Sequence, residues 1–587
     1  MKIQIRLLLS PILLWLILFH SNGLCDTRVH RGGNVRMNIA DYGYIGNLGQ
    51  GREGAMGDPE NDDEWAPQCE FPAESGSQYL YQGGLWIGAL VLMENQEVPR
   101  VSVALDGWIR GIRELYADFD SEIIERSNIR GATDYLDRET YSPDAVATQE
   151  FLSEFADTLT DPDYVSEDPV DGEHMPLGIS VKQKSLVWDD RELVDFIIIE
   201  WEVENISDQH LKNLYLGLFI DGDVGATDER NGYTDDLSGL AKWRYFENQD
   251  GEIDSVRINL SYIADNDGRP LVVNQGNDFT APGVSGIMML DSPNPELETS
   301  FNWWVSNGDA SLDYGPNWQD DGAHDYWTDD YGTPMGDVRK YFLMSNRELD
   351  YDMVYSNDPD YIREHPQEFR DRWDEERIIE SHDWRNPRDD ERTPEDLIER
   401  VCTGSDAKFL QSWGPLGVFD HIDENGMRIY RLNPGESFTL TVAYVCAEGF
   451  HDPNLPQGNR EGTIDPNKFD FTDLWRNAAT AQAAFDEYLS VDNSPIPLLP
   501  EFIMLSPNYP NPFNSSTIVI YSATNEGIVS LSIIDNMGRV ARSWEEQVNK
   551  PGVFSFAIDG SGLTAGNYYL QAIQNGSRNY AKLILLR

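Results

Sequence analysis

The chain has 587 residues, 102 acidic and 44 basic, for a formal net charge of −58. That sign excludes electrostatic capture of nucleic acid or of an anionic membrane, both of which need positive charge. With 40% hydrophobic and 11% aromatic residues the chain is not a disordered acidic polymer either. Its charge therefore sits on a solvated surface or is neutralised by bound cations.

At the start, Lys2 and Arg6 precede an apolar run over 7–19 broken only by Ser10 and Pro11, and Ser21-Asn22-Gly23 supplies small residues. This reads as a signal peptide over 1–23, cut after Gly23 and too short for a good membrane span. Asn22-Gly23-Leu24 before Cys25 does not fit a lipobox. The cysteines are Cys25, Cys69, Cys402 and Cys446. An even count in an exported chain permits two disulfides, and the lack of a Cys-x-x-Cys pair argues against structural zinc. Spacing does not reveal the connectivity; the working expectation pairs Cys402 with Cys446 and Cys25 with Cys69.

Residues 24–175 read as an N-terminal region of strands and glycine-rich loops. Gly83-Gly84-Leu85-Trp86-Ile87-Gly88 opens a buried strand over 83–91, and 100–105 is another. Residues 115–170 are acidic and turn-rich, an irregular insertion with a helix expected at 148–158. Residues 176–490 read as a β-sandwich core with an acidic insertion and a closing helix. The 178–187 stretch alternates, 193–205 carries Glu200, Glu202 and Glu204 between apolar residues, and 214–220 follows Ser207-Asp208-Gln209. Such a turn between two long strands predicts that they pair antiparallel, with Phe196 and Trp201 in the core. Further strands are expected at 255–264, 284–290, 340–344 and 437–447, the last entered through Leu432-Asn433-Pro434-Gly435-Glu436. Helix is expected at 360–381 and at 471–489. In the latter Leu474, Trp475, Ala478, Ala481, Phe485 and Leu489 form one apolar stripe. A proline-rich linker spans 491–505. The expected fold class is mainly β: an antiparallel β-sandwich core with irregular insertions and a few helices, plus a small C-terminal Ig-like β-sandwich.

The sharpest candidate for chemistry is Asp221, Asp223, Asp228, Asp235 and Asp236, with Glu229 nearby. Calcium takes six to eight oxygens, and Asp-x-Asp in a glycine-containing turn can aim two carboxylates at one ion. The spacing is not an EF-hand, because Gly225 and Gly232 fall where ligands are needed. Asp265-Asn266-Asp267-Gly268 is a second acidic turn, equally explained by the demands of a tight turn. Over 301–331, Trp303, Trp304, Trp318 and Trp327 lie among tyrosines and aspartates. Rings beside carboxylates suit a sugar, which makes Trp318 and Trp327 a candidate glycan face. The competing reading places Trp303 and Trp304 in the core and makes the rest a long acidic loop. The chain has no His-Glu-x-x-His, no Gly-x-Ser-x-Gly and no phosphate-binding loop. A glycosidase-like carboxylate pair needs closeness in space, which sequence does not show. No catalytic residue is assigned.

The tail, 506–587, opens Ser506-Pro507-Asn508-Tyr509-Pro510-Asn511-Pro512-Phe513-Asn514, an extended lead-in fixed by its prolines. Short apolar runs at 517–521, 529–535, 553–558, 566–572 and 582–586, with a turn at Asn536-Met537-Gly538-Arg539, predict a small β-sandwich. The tail resembles the C-terminal sorting domain of type IX secretion substrates. The matching residues are Asn508, Pro510, Asn511, Pro512, Phe513 and Asn514, then Gly538 and Arg539, then Gly566 and Tyr568, then the final Lys582-Leu583-Ile584-Leu585-Leu586-Arg587. Ser515 and Ile558-Asp559-Gly560 depart from the family's usual proline and Trp-Asp-Gly. The resemblance implies passage through the type IX machinery to the cell surface or exterior, with attachment to surface lipopolysaccharide as a frequent outcome. The central region is more loosely similar to large secreted proteins bearing the same tail, a likeness that implies no activity. Three roles follow as expectations: a non-enzymatic adhesion or glycan-binding protein, stabilised by calcium; a secreted hydrolase using carboxylates; or a structural envelope component.

Overall fold

The computed structural model describes residues 26–46, 57–58, 61–65, 67–107, 113–118, 121–168, 170–226, 235–247, 253–266, 268, 281–294, 297–305, 334–350, 353–354, 404–423, 428–451, 469–489, 504–505, 513–514, 516–523, 527–535, 539–548, 552–574 and 577–586. The expected signal peptide and the expected helix at 360–381 lie outside them. The chain divides into two compact units, Met1–Leu489 and Ser490–Arg587.

The first unit holds two large sheets whose named strand pairs are all antiparallel. One sheet runs in the order Gly225–Ala226, Ser77–Gln78, Cys69–Glu70, Arg36–Ala40, Tyr44–Gly46, Gln82–Met93, Leu211–Asp221, Ala407–Leu416, Glu298–Val305. The other runs Tyr116–Ala117, Gln149–Ala156, Ile179–Val187, Phe196–Asn205, Ser437–Ala447, Val284–Asp291, Ile253–Asp265, Asp236–Glu247. Strands from both sides of residue 175 share each sheet: Gln82–Met93 pairs with Leu211–Asp221, and Gln149–Ala156 with Ile179–Val187.

Alternation along the 407–416 strand shows how the layers stack. Gln411 accepts a 2.6 Å hydrogen bond from Ser261 of the other sheet, so its face looks into the space between sheets. The next residue, Ser412, points oppositely and donates to the Met344 carbonyl at 2.8 Å. The helix Asp337–Ser345 thus covers the outer face of the first sheet. A Cβ at Gly88 would lie 2.9 Å from Met344 Sδ and 3.1 Å from Tyr341, so the bare backbone there admits the helix. The second helix, Thr472–Ala484, continues as a π-turn over Phe485–Leu489 and lies on the outer face of the second sheet. Its Leu474, Ala478, Ala481 and Phe485 are buried, as the apolar stripe predicts, and Trp475 and Leu489 pack at the margin.

Three expectations are corrected. Residues 148–158 form the strand Gln149–Ala156 and not a helix. Phe151 and Phe155 are four apart, a spacing that serves one helix face or one strand face equally, and pairing with 179–187 decides. Residues 340–344 belong to the helix Asp337–Ser345 and not to a strand, a short apolar run being ambiguous in the same way. The strands Phe196–Asn205 and Leu211–Asp221 do not pair with each other. The first pairs with 179–187 and 437–447, the second with 82–93 and 407–416. The 206–210 connection therefore crosses between the sheets. Asn205 supports it, donating to the carbonyls of Gln209 at 2.8 Å and Leu432 at 2.9 Å. Alternating polarity reveals a buried face but not the partner strand.

The second unit is a smaller antiparallel sandwich. Met504–Leu505, Ser516–Ala523 and Gly552–Asp559 form one sheet, and Val540–Val548, Gly527–Asp535, Gly566–Gln574 and Ser577–Leu585 the other. Its core contains Val519, Val529, Leu531, Ile533, Ile558, Leu570 and Leu583.

Candidate functional site

Strand ends gather carboxylates in the first unit. Asp221 is the last residue of Leu211–Asp221, and Asp223 follows with φ +49°, a left-handed conformation that aspartate tolerates better than most residues. Asp406 immediately precedes the strand Ala407–Leu416. One oxygen from each of Asp221, Asp223 and Asp406 lies within 4.8 Å of the others. Lys408 reaches into the same cluster. Its Nζ is 2.6 Å from Asp406 Oδ1 and 3.1 Å from Asp221 Oδ1. Asp221, Asp406 and Lys408 are buried and Asp223 is partly so.

A second group adjoins the first. Asp236 opens the strand Asp236–Glu247 and lies directly across from Asp265. Both Asp236 oxygens accept from the Val224 N–H, at 3.3 and 3.2 Å, which joins them to the turn after Asp223. Asp235 is buried beside them, and its carbonyl accepts from Asn266 N–H at 3.1 Å. The approach of 404 to 235 demands glycine: a Cβ on Gly404, whose φ is +79°, would lie 2.1 Å from the Asp235 carbonyl oxygen.

Electrostatics follow from this crowding. Burial, then the nearby Asp221 and Asp406 charges, push the Asp223 carboxyl well above its ordinary range, and Lys408 offsets only part of that. Burial, then Asp223, Asp265 and Asp235, do the same to Asp236. Asp406 is pushed up to about 6 by burial despite its contact with Lys408. Burial alone draws the Lys408 ammonium down, but Asp221 and Asp406 outweigh it and hold the group firmly charged. Among the described residues, one ammonium among six carboxylates leaves excess negative charge in a buried place, a costly arrangement unless protons or cations offset it.

The structure brings together Asp221, Asp223, Asp235 and Asp236, and Asp265 of the second acidic turn joins them. Asp228 and Asp267 lie outside the described residues. Asp406 and Lys408 were missed. They stand at alternate positions where a strand begins, so both face one side, and that spacing was the available signal. On the aromatic stretch, Trp303 and Trp304 are core residues in Glu298–Val305, and Trp304 stacks on Phe219 at 5.7 Å. Trp318 and Trp327 lie outside the described residues.

In the tail, Phe513 is buried and tied to the last strand. Its N–H donates to the Ile584 carbonyl at 2.8 Å, and its own carbonyl accepts from Leu586 N–H at 2.7 Å. Asn514 and Arg539 are exposed, Gly566 begins the strand Gly566–Gln574, and Tyr568 is buried with its hydroxyl donating to the Thr564 carbonyl at 2.8 Å. Asn508, Pro510, Asn511, Pro512 and Gly538 lie outside the described residues.

No helix among the described residues is long and apolar enough to cross a membrane. No curated protein matches the chain. Among solved structures it has a similarity to a "Biofilm associated protein - BSP domain", at 8% identity and a TM-score of 0.11, covering 96% of this chain and 80% of that one. A likeness that slight carries no argument about fold or role. Residues 508–586 match the family described as "Secretion system C-terminal sorting domain". The chain thus carries a type IX sorting tail, engages the type IX secretion machinery and is a secreted or cell-surface protein.

Proposed function

We propose that the exported core is a non-enzymatic adhesion or glycan-binding protein of the cell exterior, braced by calcium at Asp221, Asp223 and Asp406. The observation that carries the calcium reading is the convergence of those three carboxylates within 4.8 Å. Calcium–oxygen distances of about 2.3–2.6 Å place any two ligands of one ion no more than about 5 Å apart. The cluster meets that limit, with Asp235, Asp236 and Asp265 behind it as further negative charge. Lys408 competes for the same oxygens, so the site binds weakly enough to suit the higher calcium levels outside cells. The adhesive role rests on delivery by the sorting tail and on the aromatic and acidic composition of 301–331, with Trp318 and Trp327 as the proposed sugar face and surface lipopolysaccharide as the proposed anchor.

The test uses the secreted protein on a panel of insoluble polysaccharides, with and without calcium. Retained protein and released reducing ends are read in the same tubes. Retention without release, lost on Trp318→Ala and Trp327→Ala, supports the proposal. Sugar release makes the protein a hydrolase; if neither retention nor release occurs, the structural envelope role moves to the front. A melting temperature unmoved by calcium or EDTA removes the metal from the reading.

A further inference from the structure

Cys69 and Cys446 are far apart in sequence and belong to different sheets. Cys69 lies in the short strand Cys69–Glu70, and its carbonyl accepts from Tyr79 N–H at 2.9 Å. The Tyr79 carbonyl in turn accepts from the Tyr444 hydroxyl at 3.2 Å and the Ser285 hydroxyl at 3.3 Å. Ser285 sits directly across from Cys446 in the pairing of Val284–Asp291 with Ser437–Ala447, so their side chains share a face. Tyr444, two residues before Cys446, shares that face as well. The Tyr79 contacts turn that face toward the first sheet. There Cys69 comes near enough to Cys446 and Tyr444 to push the pKa of both upward, after burial. Both thiols are free in this structure and fully buried.

We propose that Cys69 and Cys446 form a disulfide in the exported protein, stapling the N-terminal strands of one sheet to the central strand of the other. The pairing differs from the sequence expectation, which joined Cys69 to Cys25 and Cys446 to Cys402. Those two partners lie outside the described residues. The sorting tail sends the chain through compartments where disulfides form and persist. In the balanced step the two thiols lose two protons and two electrons and gain one S–S bond. The oxidant is a protein or low-molecular-weight disulfide, whose S–S bond breaks to give two thiols. One cysteine attacks it as thiolate to give a mixed disulfide, which the other cysteine resolves. In the folded state burial, and then the Cys69 neighbour, hold the Cys446 thiol well above its ordinary range and keep it unreactive. Oxidation therefore precedes closure of the core. The link spans most of the chain, so it removes much freedom from the unfolded state.

The experiment takes the secreted chain, alkylates it in denaturant without reductant, digests it and maps cross-linked peptides by mass spectrometry. A linked pair containing Cys69 and Cys446 is expected. Alkylated Cys69 or Cys446, or a link from either to Cys25 or Cys402, overturns the proposal. The Cys25→Ala/Cys402→Ala variant isolates the pair. It should show no titratable thiol before reduction and lose several degrees of melting temperature on reduction. Two titratable thiols in that variant overturn the proposal independently of mapping.

Discussion

Asp236 and Asp265 face each other across an antiparallel pair, both buried, so two carboxyl groups stand directly opposite. Such opposition destabilises a sheet. Asp236 has a carboxyl pKa well above its ordinary value, chiefly from burial. The folded state therefore binds more protons than the unfolded one above about pH 4, and stability is lost as pH rises through the folded value. In EDTA, unfolding monitored by tryptophan fluorescence should show the core weakening from pH 4 toward neutrality. Asp236→Asn, which keeps an acceptor for Val224, should flatten that slope.

Lys408 is the buried cation of the cluster. Lys408→Met leaves Asp221 and Asp406 without it and should cost about 3–5 kcal/mol in EDTA, the usual penalty for removing one member of a buried pair. Denaturant titration measures the loss. On the calcium reading, added calcium recovers more stability in this variant than in the parent. Equal recovery in both argues against a shared site.

His30 is buried and stacked on Phe151 at 4.2 Å, with Nε2 2.7 Å from the Ser185 hydroxyl. Burial lowers its pKa to about 3, and contact with Gln149 only partly opposes this. Here the sign reverses. Between about pH 6.5 and 3 the unfolded state binds the extra proton, so this residue's contribution is lost as pH falls. His30→Gln should remove several kcal/mol of acid sensitivity, read as a shallower fall of the denaturation midpoint below pH 6.

Phe513 fills the core of the tail. Phe513→Ala should cost about 3–5 kcal/mol of that unit's stability through the cavity it leaves. Export should fall with it, seen as less protein at the surface of intact cells by protease accessibility. Removal of 506–587 should abolish surface display. Normal display of that truncation removes the sorting role.

The mainly β fold was legible because alternation and apolar runs mark strands, as in 179–187 and 437–447. The 472–484 helix was legible from its stripe. The partner of each strand was not, since 196–205 and 211–221 look like a hairpin and part company across the sandwich. Four of the cluster's carboxylates were found through their clustering in sequence around 221–236. For Asp406 and Lys408 the alternate spacing was a signal of a shared face but not of membership in the cluster, because some 170 residues separate Asp406 from Asp236 and only folding closes that gap. The Cys69–Cys446 pairing proposed above is hidden from the sequence for the same reason, since spacing does not reveal which cysteines the sheets bring together.

The bridge from Phe513 to the final strand has a consequence for quality control. Phe513 is pinned by backbone groups of Ile584 and Leu586, in and just after the last strand of that unit. A nascent or prematurely terminated chain ending before 577 has no partner for Phe513, however well its preceding domain has folded. The backbone bonds that hold Phe513 form only once the last strand is in place, so an intact C-terminus is a condition for closing the sorting unit.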